Sequence, residues 1–107
     1  MLLPKSPAQE MNYTEITTCW TDFSIADRFG EKAIRDTYNK LFNQWKDNHP
    51  KEITELTLVL NWKIWQHYEQ GNEALAQVYN ELWEKMDLWC QENLTGDDLN
   101  YYYHTTD

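Results

Sequence analysis

Glycine and proline are scarce, with three of each in 107 residues. A sheet protein of this length needs more turn punctuation than that, so helices are favoured. Only two cysteines occur, Cys19 and Cys90, and they form no CxxC pair. Two isolated thiols without a secretory leader point to a reducing, cytosolic setting. The opening MLLPKSPAQE places a proline directly after two leucines and offers no signal-peptide core. No apolar run approaches the roughly 18 residues of a membrane span, so no membrane partner is expected. Positive charge is short as well: nine Lys and Arg stand against eighteen Asp and Glu, for a net charge of −9 and a pI near 4.6. Like charges repel, which excludes nucleic acid and anionic lipid as direct partners and leaves a basic protein as the natural complement.

Chemistry-bearing motifs are equally thin. Gly30, Gly71 and Gly96 are isolated, so there is no glycine-rich phosphate loop. His49, His67 and His104 do not combine with Cys19 and Cys90 into the spacing of a zinc site. His49 precedes a helix-starting proline and reads as a solvated loop residue; His67 reads as a satisfied histidine at the core edge. Cys90 falls on an apolar helix face, which favours an inert buried thiol, while Cys19, beside Trp20, is expected to be more open. The adjacent Asp97 and Asp98 sit at a helix start, where capping explains them. No catalytic residue, cofactor or metal is expected, and the protein reads as non-enzymatic.

What the chain does have is aromatic mass, with six Trp and seven Tyr, more than disorder permits. It is arranged with helical periodicity. Residues 1–13, with Pro4, Ser6 and Pro7, read as a flexible arm, and 14–107 as a single helical domain. Residues 15–21 are ambiguous between an extended segment and a turn. A short helix capped by Asp22 or Ser24 then runs to Gly30. Ile34, Tyr38, Leu41, Phe42 and Trp45 fall on one face of a helix over 31–47. Pro50 opens a second helix over 50–70, apolar on more than half its circumference. Ile53, Leu56, Leu60, Ile64 and Tyr68 form one stripe; Leu58, Val59, Trp62 and Trp65 form another beside it. A helix coated so widely belongs at the centre. Asn72 caps a third helix over 72–93, with Leu75, Val78, Tyr79, Leu82, Met86 and Trp89 inward. Thr95 and Asp98 resemble a capping box opening a last helical turn through Tyr101–Tyr103, of which at least one tyrosine must be exposed. The predicted fold is an all-α bundle of three main helices, 31–47, 50–70 and 72–93, with short flanking helical segments.

Charge is segregated along this bundle. Residues 1–68 hold nine acids and eight bases; residues 69–107 hold nine acids and one base, Lys85. Glu73, Gln77, Glu81, Glu84, Asp87 and Gln91 share the face opposite the apolar stripe, with Glu92, Asp97 and Asp98 following. Neighbours three or four apart on a helix lie about 5–6 Å from each other, comparable with phosphates along a strand. Such a face either keeps a small protein soluble or offers carboxylates to a basic groove in place of nucleic acid. The second use makes Glu73, Glu81, Glu84, Asp87, Glu92, Asp97 and Asp98 the candidate partner-binding residues. The surplus apolar face of the central helix supports an alternative, a homodimer, with Trp62 and Trp65 flanking Lys63 as an anchor.

The segments TDFSIADRFGEKAIRDTYNKLFNQWKD, ITELTLVLNWKIWQHYE and LTGDDLNYYYHTTD resemble a family of small acidic proteins of Firmicutes encoded on phages, plasmids and conjugative elements. The resemblance covers residues 18–107 and brings no catalytic residues with it. It implies a mobile element inside a bacterial cell, where small acidic proteins act as anti-defence factors, anti-CRISPR inhibitors among them. The expected partner is then a basic host protein, a CRISPR nuclease or another nucleic-acid-binding defence protein. The homodimer alternative implies the element's own transfer or replication machinery.

Overall fold

The computed structural model describes residues 13–106, and the described residues form five helices and no strand. They are α1 (Tyr13–Asp27), α2 (Glu31–Trp45), α3 (Pro50–Glu69), α4 (Glu73–Asn93) and α5 (Gly96–Thr106). The expected flexible arm lies, but for Tyr13, outside the described residues. The three predicted main helices are present as α2, α3 and α4. The flanking pieces are longer than expected, at 15 and 11 residues. Asp22 and Ser24 cap nothing: both lie inside α1, which runs without a break through the stretch that sequence left ambiguous. Cys19, Phe23 and Ala26, at spacings of four and three, are its inward face, so packing makes this helix rather than local periodicity.

Turns follow the punctuation. Gly30 takes a φ of 101° between α1 and α2. Gly71 (φ 75°) closes α3 in a paired-bond turn: Asn72 N donates to the His67 carbonyl at 2.8 Å and Gly71 N to the Tyr68 carbonyl at 3.1 Å. The Asn72 side chain then accepts from Leu75 N, capping α4. Pro50 stands in the first turn of α3, where its missing N–H costs nothing. The Thr95 carbonyl accepts from Asp98 N and Leu99 N as α5 begins.

As expected, α3 is central. It packs most extensively on α4 and also against α1, α2 and α5. Every residue from Ile53 to Leu60 is buried. The core unites Ile53, Leu56, Leu58, Val59 and Leu60 with Ile34, Tyr38, Leu41 and Trp45 of α2, and Val78, Tyr79, Leu82, Met86 and Cys90 of α4. Each large apolar side chain so buried contributes about 1.5–3 kcal/mol before entropy is charged against it. Two expected members of the α3 stripes are not core: Trp65 is 59% exposed and Tyr68 47%. Both lie beyond the all-round burial of Ile53–Leu60, and Lys63 and His67 take the inward positions beside them. Within Tyr101–Tyr103, Tyr102 is buried and Tyr103 exposed.

Candidate partner-binding face

Two groups of charged side chains stand out, one interior and one exterior. The interior group joins α1, α3 and α4. Lys63 is fully buried, and its three ammonium protons match three acceptors: Ser24 Oγ at 2.7 Å, Asp27 Oδ2 at 2.9 Å and Gln66 Oε1 at 2.9 Å. The ammonium also sits 4.2 Å from the Trp20 ring centre. His67 Nε2 lies 3.0 Å from the same Asp27 oxygen. Tyr79 donates to the other, Oδ1, at 2.5 Å, and its ring stacks on His67. Burial lowers the Lys63 pKa while the Asp27 carboxylate opposes the shift; burial also raises the Tyr79 phenol, with Asp27 adding to it. This constellation is an internal tie. It takes Lys63 out of any exposed Trp62–Lys63–Trp65 anchor, and Trp62 is buried too. Sequence held one clue: Lys63 and His67, four apart on an apolar helix, need an acid to face them.

The exterior group follows α4. Glu73, Glu84 and Glu92 are exposed on its outer side. Glu73 stands in the first turn, where the helix dipole favours it, and Glu84 accepts from Asn80 Nδ2 at 2.7 Å. Glu81 is also exposed but takes Arg35 Nη2 at 2.7 Å, an arginine whose Nε holds Glu31 at 2.9 Å. Asp87 turns partly inward, toward α5. It accepts from the buried Tyr102 hydroxyl and from Gln91 Nε2 at 2.8 Å. Burial, then this carboxylate, raises the Tyr102 phenol. Asp97 and Asp98 occupy the first turn of α5. Asp98 lines a polar cavity of about 280 Å3 with Lys46, Asp47, His49 and Thr95. The seven candidates therefore divide: three are exposed along α4, Glu81 is bridged to α2, Asp87 is engaged by α5, and two lie at the α5 start.

Sequence reasoning passed over Leu88. It is 56% exposed, four residues from Glu84 on one side and from Glu92 on the other, so a hydrocarbon patch interrupts the acidic row. An isolated leucine breaking a polar period was the available signal.

Comparison of the chain with protein-family models, with curated proteins and with solved structures gives no match. Its own chemistry has to carry the reading. Among the described residues, no group of three or more His, Cys, Asp or Glu is placed to hold a metal ion, and no helix is long and apolar enough to cross a membrane. Cys19 is buried rather than open, because it lies on the inward face of α1. Cys90 is buried near Thr57, and burial pushes its thiol up to about 12, far from the depressed values of reactive cysteines.

Proposed function

We propose that this is a non-enzymatic binding protein of a mobile genetic element, which acts in the bacterial cytoplasm on a basic, nucleic-acid-handling host defence protein. In its most specific form it is an anti-CRISPR inhibitor that presents carboxylates to a nuclease groove in place of phosphates. The observation that carries the reading is the segregation of charge onto an outward helix face. Residues 69–107 hold nine of the eighteen acids and one of the nine bases, and Glu73, Glu84 and Glu92 point that excess at solvent. The buried Lys63 ammonium is meanwhile matched internally by Asp27, so the exterior carboxylates of α4 are not needed to balance it. An acidic face meeting a basic groove gives fast, salt-sensitive association.

The test is charge reversal at exposed carboxylates that bridge to no other helix. Glu73, Glu84 and Glu92 changed together to Lys should weaken inhibition of target-DNA cleavage by a CRISPR nuclease at least about tenfold and flatten its salt dependence. Unchanged potency and salt dependence would remove the acidic face from the mechanism. If no nuclease of a representative panel is inhibited by the unaltered protein, the defence target is wrong.

One observation favours a second reading, a homodimer serving the element's own transfer or replication. Trp65 and Tyr68 lie side by side on α3, ring centres 6.3 Å apart, and the residues are 59% and 47% exposed. Light scattering separates the two, since a monomer at micromolar concentration disfavours the dimer.

A further inference from the structure

Where α2 and α4 run side by side, a cavity of about 250 Å3 opens beside the acidic row. Tyr38, Phe42, Leu88 and Trp89 supply its apolar surface, and Asn39, Lys85 and Glu92 its polar rim. The aromatic part is fixed in place. Tyr38 and Phe42 are parallel with centres 5.8 Å apart, and Trp89 meets Phe42 edge-on at 5.3 Å. Ring faces carry negative potential, and the chain already uses these ones for cations: Lys46 Nζ stands 5.9 Å from the Phe42 centre and Lys85 Nζ 5.7 Å from that of Tyr38.

We propose that this groove is the subsite for an arginine side chain of the basic partner. The inference rests on the acidic-face reading and names the group that face receives. A leucine wall suits the aliphatic stem of a long basic side chain. An aromatic floor suits a planar, weakly hydrated guanidinium better than a compact, strongly hydrated ammonium, and a carboxylate on the rim can take the guanidinium through two parallel bonds. Glu92 fills the last role. Lys85, the one base of residues 69–107, is exposed on the rim, and an incoming guanidinium has to displace it and Lys46 from the ring faces they now cover.

Two labelled six-residue peptides, one all arginine and one all lysine, test this with the intact protein by fluorescence anisotropy at low and high salt. The arginine peptide should bind about tenfold more tightly than its equally charged lysine counterpart. Leu88→Asn, an exposed and charge-neutral change, should weaken the arginine peptide more than the lysine peptide and narrow the gap between them. Lys85→Ala should raise arginine-peptide affinity about threefold by vacating the cation position. Equal binding of both peptides, indifferent to Leu88→Asn, overturns the subsite; if Glu73→Lys with Glu84→Lys still weakens both peptides, the acidic face survives that result. Absence of salt-dependent binding to either peptide overturns the acidic face and the subsite together.

Discussion

Asp27 and Glu84 are both carboxylates on helices, yet they stand in opposite surroundings. Asp27 holds Lys63, His67 and Tyr79 at the junction of α1, α3 and α4. Glu84 has one amide for company and faces water. A carboxylate in the interior is bound to its neighbours by the cost of leaving any of them uncompensated. One on the surface is nearly free of the fold and available to something outside it. Stability should therefore depend on the inner group and association on the outer one.

The sharpest way to break this contrast is Asp27→Ala. It strands a fully buried ammonium and should cost about 3–5 kcal/mol, a large share of the roughly 5–15 kcal/mol that holds a domain of this kind together. Urea denaturation of the variant measures it. Glu84→Ala should stay within about 0.5 kcal/mol in the same experiment. Equal losses at the two positions would erase the distinction.

Alkali provides the next largest effect. Burial raises the Cys90 thiol from 9.0 and the Tyr38 phenol from 10.0, each to about 12, and raises Tyr79 and Tyr102 as well. The neutral forms of these groups are favoured in the fold. Their contribution is complete below their ordinary values and is lost as pH climbs through the raised ones. Lys63 acts in the other sense: its lowered pKa means the unfolded chain keeps that proton longer, so its cost is relieved as pH nears 10.5. Four groups outweigh one, and the net expectation is a melting temperature that falls between about pH 9 and 12. Tyrosinate absorption from Tyr38, Tyr79 and Tyr102 should appear with unfolding rather than before it.

The smallest expected effect sharpens the comparison at its edge. Arg35→Ala removes the bridge from α2 to Glu81, a partly exposed pair, and should cost about 0.2–1 kcal/mol. The same change frees Glu81, so affinity for a cationic partner should rise slightly, which a salt titration of binding would register.

The sequence disclosed most of the fold because α2 and α4 repeat their apolar residues at three and four, and because Pro50, Gly71 and Asn72 mark where helices must start and stop. It disclosed less of α1. YTEITTCWTDFSIAD has no clean period, and its inward residues are set by what α2 and α3 present to it. Polar residues misled for a related reason. Lys63 looks like solvent exposure in any period-based reading, and only the arrival of Ser24 and Asp27 from another helix makes its burial tolerable. Helical phase alone puts Asp87 on the outer face. Its engagement with Tyr102 depends on how α5 folds back, which no spacing within α4 encodes. Leu88 was visible as a lone leucine among acids, but its meaning came from the rings of α2 beside it.

The tight turn at Gly71 has a kinetic consequence. It makes the most extensive interface of the molecule, α3 on α4, also one of its most local. Little loop entropy opposes that pairing, so the two helices can meet early. The tie to α1 spans far more chain, Asp27 and Tyr79 being 52 positions apart. Contact separation therefore predicts that it closes on a hairpin already assembled, which would make the charged interior a late lock rather than a nucleus.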